Sequence, residues 1–194
     1  MSNESTGVKP ISRFSVPALD ELPEDILGMV SKVQEKIGFI PNVFLAYAHR
    51  PEECRAFFAM HDALMLREGN LTKADKEMIV VAISGDNNCL YCVVAHGAIL
   101  RILSKQPLVA DQVAINYLKA DITPRQRAMI EFALKINKQS YLVSEDDFEI
   151  LGKHGFDRED VWDIAGITAF FGLSNRMANL MSMRPNDEFY TMGR

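Results

Sequence analysis

The sequence predicts an all-α protein, and three observations carry that prediction. Apolar residues recur at helical spacing along most of the chain, no segment alternates strictly with period two, and helix start and stop residues punctuate the apolar runs. The 194 residues, 48% of them hydrophobic, are enough for one domain with a sizeable core. The pattern divides into an N-terminal arm over residues 1–20, a helical domain over 21–184 and a polar C-terminal tail over 185–194.

Pro10 and Pro17 interrupt the arm, while Ile11, Phe14, Val16 and Leu19 give it apolar anchors, so docking is expected from Ile11 onward. Pro23 suits a first helical position, and Glu24 and Asp25 complement the positive end of the helix dipole. Ile26, Leu27, Val30, Val33 and Ile37 then come at helical spacing until Gly38 stops the run. A short apolar turn, Val43 to Ala48, begins after Pro41-Asn42. Pro51 opens a longer helix, with Phe57, Met60, Leu64 and Leu66 expected on its buried side and a stop at Glu68-Gly69-Asn70. Tyr47, with Phe57 and Phe58, is expected to line an entrance or a subunit interface.

Thr72 is the clearest start signal: its hydroxyl suits the free amides of a first turn, with Asp75 in the reciprocal position. Met78, Ile79, Val81, Ala82 and Ile83 form a nearly continuous apolar surface, the mark of a central helix ending at Gly85. Asp86, Asn87 and Asn88 offer caps for the next helix, which runs from Cys89 to Leu103. Further helices are expected over 107–119 and, behind Thr123 as cap and Pro124, over 124–139. Ser144 to Asp147 start a helix through Leu151, Gly155 breaks it, and Asp157 is the next cap. The last helix, Val161 to Met181, carries Trp162, Ile164, Ile167, Phe170, Phe171 and Leu173. Late methionines at 177, 181, 183 and 192, beside a polar tail, are compatible with the edge of an interface.

Residues 71–84 echo residues 122–135, pairing Thr72 with Thr123, Met78 with Met129, Ile79 with Ile130 and Ala82 with Ala133. Duplication of a helical unit and a shared start signal on two amphipathic helices both account for the echo. Glu77 falls where the second copy has Ala128.

A net charge of −5 without a basic stripe argues against a general nucleic-acid binder. No apolar run approaches the roughly 18 residues of a membrane span. The first residues lack the basic-then-apolar order of a signal peptide, and three cysteines are an odd number for a secreted disulfide scaffold. A reducing cytoplasm is the expected compartment.

Chemistry concentrates in residues 85–97, GDNNCLYCVVAHG. Cys89 and Cys92 have the spacing that lets a first helical turn close a disulfide, and Cys89 sits where unpaired backbone amides stabilise a thiolate. His96, four residues after Cys92, shares its helical face and suits proton transfer to or from a thiol. Glu77, on the preceding helix, reaches this pair if the chain folds back as a helix–turn–helix. A zinc site built from two cysteines and one histidine would need a fourth ligand, and neither His61 nor His154 has a telling spacing. Cys54, on another helix, reads as a small buried hydrophobe.

Glu77 followed by Cys89-x-x-Cys92-x-x-x-His96 resembles the alkylhydroperoxidase D-like (AhpD-like) branch of the carboxymuconolactone decarboxylase superfamily. The flanks Gly38-Phe39-Ile40-Pro41-Asn42, Asn88-Cys89-Leu90-Tyr91-Cys92 and Asn175-Arg176-Met177-Ala178 resemble its peroxidase-related subgroup, and the likeness covers residues 11–190. It implies an AhpD-like helical bundle, a homo-oligomer (in this subgroup a hexamer built from dimers) and a thiol-dependent peroxidase reaction. By the same likeness Cys92 attacks, Cys89 resolves, and His96 and Glu77 form the proton relay, with no organic cofactor and no metal. An external dithiol reductant, lipoyl or thioredoxin-like, is the implied partner. Tyr91, Asn88 and Phe39 are candidates for the relay or its pocket. Tyr91 stands where the best-characterised alkylhydroperoxidase has a second histidine; with an ordinary pKa near about 10 it is a poor base at neutrality. The relay is then shorter or runs through water.

Val93, Val94, Ile79, Phe39 and Phe170 suit an apolar pocket for organic hydroperoxides. Two other functions compete: a helical assembly protein whose dithiol senses redox state, and lactone or acid chemistry like that of the decarboxylases. The latter match less well, because they do not depend on a CxxC pair.

Overall fold

Thr72, Thr123 and Asp157 each hold a backbone amide three residues on, at 3.1, 3.2 and 2.9 Å, and each directly precedes a helix in the computed structural model, which describes residues 10–194. The helices are α1 (Glu24–Ile37), α2 (Asn42–Tyr47), α3 (Pro51–Met65), α4 (Lys73–Asp86), α5 (Leu90–Ser104), α6 (Val109–Asn116), α7 (Pro124–Gln139), α8 (Glu145–Lys153) and α9 (Arg158–Met181). Short 3-10 turns lie at Leu19–Glu21, Tyr117–Lys119, Ser140–Leu142 and Asp187–Tyr190. Among the described residues there is no strand, and no helix is long and apolar enough to cross a membrane.

The architecture is a bundle around α4, which packs against α5, α6, α7 and α9. Its apolar run Met78–Ile83 is wholly buried, as expected for a helix apolar on every side. Lys76, also buried on α4, gives its ammonium to the carbonyls of Leu64 (2.9 Å) and Arg67 (2.6 Å), and so caps the end of α3.

The two echo helices run parallel and in register. Gln126 of α7 donates to Asp75 of α4 at 3.3 Å, and Asn137 donates to Asp86 at 3.0 Å, each pair 51 residues apart. Equivalent positions thus meet at both ends of the pair.

Several expectations change. The described part of the arm is tied to the end of α9 by Arg13 N–H to Met181 O (2.8 Å) and Arg184 N–H to Ile11 O (3.0 Å), whereas residues 1–9 lie outside the described residues. Phe14 lies on the surface, stacked on His49, and Leu19 is exposed. The residues expected as a polar tail are docked: buried Arg101 donates to the carbonyls of Phe189 (2.8 Å) and Met192 (2.9 Å), which satisfies a desolvated guanidinium. Met181 and Met183 are core residues.

Met60 and Leu66, expected inward, face out, as do Trp162 and Leu173, because α3 and α9 carry apolar residues on more than one side. Cys54, Phe57, Phe58 and Met65 take the inner side of α3. Pro23 is the cap rather than the first residue of α1, α9 starts directly after Asp157, and the helix expected over 107–119 ends at Asn116 before a 3-10 turn.

Candidate dithiol site

The turn between α4 and α5 sets the site. Asn88 takes a left-handed conformation (φ 52°), Cys89 N–H reaches Ser84 O at 2.9 Å, and Asn88 N–H reaches Gly85 O at 3.1 Å. These two bonds close α4 in the six-to-one and five-to-two pattern of a Schellman motif, with Asn accepting the positive φ. Gly85 is required by packing: a Cβ there would meet Ala114 O at 2.4 Å. The chain turns so tightly that Cys89 both ends the α4 motif and caps α5. The caps expected from Asp86, Asn87 and Asn88 are not used for α5; the Cys89 sulfur itself accepts the Cys92 amide at 3.5 Å.

Both motif cysteines are reduced and buried. Their pKa values move in opposite directions. Cys89 is lowered to about 7, chiefly because the Cys92 thiol donates to its sulfur, with the Cys92 amide, Asn175 and the His96 charge adding to that and burial opposing. Cys92 rises well above the ordinary thiol value, held protonated by its hydrogen bond to Cys89, by burial and by the charge on Cys89. The first negative charge of the dithiol therefore resides on Cys89, at the positive end of α5.

Glu77 of α4 and His96 of α5 meet. His96 Nδ1 lies 2.7 Å from Glu77 Oε2, with both side chains largely buried. A carboxylate accepts at Nδ1, so in the neutral imidazole Nε2 is the free base. The His96 ring is held edge-on by Phe171, centroid to centroid 4.8 Å.

Helix α9 contributes groups that the spacing of the motif does not signal. Ser174 Oγ lies 4.0 Å from Cys92 Sγ. Asn175, fully buried, donates to Ser84 Oγ (2.9 Å), accepts from Asn87 (2.9 Å) and lowers the pKa of both thiols by donating towards them. Asn87 and Asn137 exchange amide bonds at 3.1 and 3.0 Å, and Asn137 also holds Asp86, which pairs with Lys138. This network fixes the turn that carries Cys89. Its trace in the sequence is the Asn175-Arg176-Met177-Ala178 flank late in α9.

Three other candidates act differently from expectation. Tyr91 has a structural contact: its buried hydroxyl accepts the Val43 amide at 3.2 Å, tying α2 to the motif, and burial raises its pKa. Asn88 works through its backbone, with its side chain exposed. Phe39 packs edge-on against Phe189 at 5.1 Å. Tyr47 is buried, and Cys54 is a core residue whose thiol pKa burial raises. Ile79 is core, and Phe170 joins a run of rings that ends at Phe171. Among the described residues no group of three or more His, Cys, Asp or Glu side chains is arranged to hold a metal ion.

Fold and site together define an all-helical protein with a reduced CxxC pair beside a buried Glu–His couple. Residues 51–114, spanning α3 to α6 up to Ala114, match the carboxymuconolactone decarboxylase family. The crystal structure of an uncharacterized peroxidase-related protein from Ralstonia eutropha JMP134, described as an alkylhydroperoxidase AhpD core, is 69% identical. The match covers 96% of this chain and 98% of that one, with a TM-score of 0.96. A second uncharacterized peroxidase-related protein, from Silicibacter sp. TM1040, is 42% identical over 98% of this chain and 100% of that one, with a TM-score of 0.91. The debrominase Bmp8, at 19% identity and a TM-score of 0.72 over 87% and 90% of the two chains, shares the fold. No curated protein matches the chain. The chain belongs to the AhpD-like, peroxidase-related subgroup of the carboxymuconolactone decarboxylase superfamily.

Proposed function

We propose that this protein is a thiol-dependent peroxidase that reduces hydroperoxides, organic ones foremost, through a Cys89–Cys92 dithiol/disulfide cycle. The observation that carries the reading is the geometry of the site: the Cys89 sulfur caps α5 by accepting the Cys92 amide at 3.5 Å, beside a His96 held 2.7 Å from Glu77.

In the resting dithiol the charge sits on Cys89. Passing the Cys92 proton to Cys89 along their hydrogen bond makes Cys92 the thiolate, and its higher pKa makes it the stronger nucleophile once formed. Cys92 Sγ attacks the distal peroxide oxygen; an S–O bond forms, the O–O bond breaks, and sulfur is oxidised to sulfenic acid. The alkoxide receives the proton held at Cys89, relayed by His96, and leaves as alcohol. Cys89, again a thiolate, attacks the sulfenic sulfur; hydroxide departs and is protonated to water. The balance is dithiol plus ROOH giving disulfide plus ROH plus water. Glu77 orients the imidazole through Nδ1. An external dithiol, lipoyl or thioredoxin-like, reopens the disulfide by exchange, and the low pKa of Cys89 makes it the better leaving thiol. Family likeness supports assembly as a homo-oligomer.

The test is peroxide consumption by the reduced protein with cumene hydroperoxide and an added dithiol, alongside Cys89→Ser, Cys92→Ser and His96→Ala. Multiple turnovers are expected in the wild type and none in either cysteine variant, with sulfenic acid trapped in Cys89→Ser. Sulfenic acid in Cys92→Ser instead would reverse the two roles. The acidified Cys89 beside a resolving Cys92 also fits one second reading, a redox sensor. In that case the wild type would lose two thiols once, change its assembly state and not cycle.

A further inference from the structure

Among the described residues, the Tyr47 hydroxyl is the buried side-chain polar atom left without any hydrogen-bond partner. An unmade hydrogen bond inside a protein is costly, so such a group is retained where something else uses it. Its surroundings indicate the use. Tyr47 lies one turn after Val43 on α2, and the backbone amide of Val43 is bonded to the hydroxyl of Tyr91, one of the two residues between the motif cysteines. The amino end of α2 therefore abuts the CxxC turn.

The ring is pinned there. Tyr47 stacks on Phe57 at 4.2 Å, Phe57 contacts Phe170 at 4.8 Å, Phe170 meets Phe171 at 5.1 Å, and Phe171 holds His96 at 4.8 Å. One aromatic chain thus joins the orphan hydroxyl to the relay histidine. The hydroxyl bonds to neither sulfur, yet Cys92 is the ionisable neighbour whose charge it feels most, ahead of Glu53, Cys54 and Cys89. Burial and these charges push its pKa up, so it stays a neutral donor.

Resting on the peroxidase reading, we infer that Tyr47 contacts the substrate, donating its O–H to the peroxide oxygen that leaves as alcohol when the dithiol is oxidised. As the S–O bond forms and the O–O bond breaks, negative charge builds on that leaving oxygen. A hydrogen bond to it is worth most at that moment. Tyr47 keeps its proton; the proton that completes the alcohol is the one Cys92 gave up.

Tyr47→Phe tests this, because it keeps the ring stack and removes only the oxygen. Thiol loss from the reduced protein would be followed in a single turnover with cumene hydroperoxide, and in parallel with iodoacetamide, whose iodide leaving group needs no such donor. Removing one preorganised donor is expected to slow the peroxide reaction by roughly 100-fold. The alkylation rate and its pH profile should match wild type, and the loss should shrink with a peracid, whose leaving carboxylate carries its charge more easily. Thermal unfolding at or above the wild-type midpoint would accompany this. Equal peroxide rates in Tyr47→Phe and wild type would overturn the inference while leaving the peroxidase reading intact. Parallel falls in peroxide and iodoacetamide rates would overturn it too, assigning Tyr47 to thiol packing. A wild type inert to peroxide would overturn the peroxidase reading and this inference with it.

Discussion

The helices α4 and α7 start alike and end differently. Both open on a threonine whose hydroxyl holds the amide three residues on, both complete a reciprocal box, with Asp75 in one and Gln126 in the other, and they lie side by side in register. Yet α4 is enclosed on every side, whereas α7 buries one face and shows the other to solvent. At one equivalent position α4 has Glu77, bound to His96, and α7 has Ala128, buried and inert. Past their ends the contrast sharpens. Gly85 lets α6 approach and the chain turn back into Cys89, whereas α7 runs on into the 3-10 turn at Ser140–Leu142. A common helical frame thus gains chemistry only where a carboxylate is placed in the enclosed copy and the turn after it is tight.

The largest expected effect comes from making the first copy read like the second. Glu77→Ala leaves His96 without its carboxylate, and thiol oxidation by hydroperoxide should fall by roughly 100-fold or more, within the range of general acid–base contributions. Far-ultraviolet circular dichroism should be unchanged, since alanine is already buried at the equivalent position of α7. A wild-type oxidation rate would show that the Glu–His couple is structural only.

Asn175→Ala attacks the turn instead. It leaves the hydroxyl of Ser84 and one amide of Asn87 without a partner, so urea unfolding should report a loss of about 2–3 kcal/mol. A loss below about 0.5 kcal/mol would mean that the network does not hold the turn.

Cys92→Ala separates the two sulfurs. In the wild type, thiolate on Cys89 falls away as pH drops through about 7, and iodoacetamide labelling of Cys89 should fall with it. Without its main donor the Cys89 midpoint should move up towards the ordinary thiol range, so labelling at neutral pH slows by up to about tenfold. An unmoved midpoint would credit the helix terminus and Asn175 rather than the neighbouring thiol.

The smallest expected effect concerns the feature the two helices share. Thr72→Ala and Thr123→Ala should each cost about 1 kcal/mol of unfolding free energy. The Thr72 variant should lose more, because buried Asp75 also receives the Thr72 hydroxyl, whereas Thr123 at the other cap is itself exposed. Equal costs would show that the start signals are interchangeable and that enclosure adds nothing to them.

Much of this was legible in the chain itself. The capping residues Thr72, Thr123 and Asp157, the breaks at Gly38 and Gly155 and the apolar run of α4 are local, and the helices stand where those residues put them. The spacing of Cys89, Cys92 and His96 is likewise set by the pitch of one helix. Illegible were the facts that need two distant segments at once. Met60 and Leu66 look like core residues until α3 is seen to bury a different stripe. Asn88 and Asn87 look like caps until the cysteine sulfur takes that place.

Propensity, capping and periodicity act within a few residues of one another, so the chain alone specified the helical fold, the dithiol and the charge types near it. Closure of the bundle was needed to enclose Glu77 against His96, to clamp the turn with Asn175, to bury both thiols, and to leave Tyr47 with an unused donor. Those outcomes depend on desolvation and on hydrogen-bond distances between groups up to 91 residues apart, which exist only once the helices have packed.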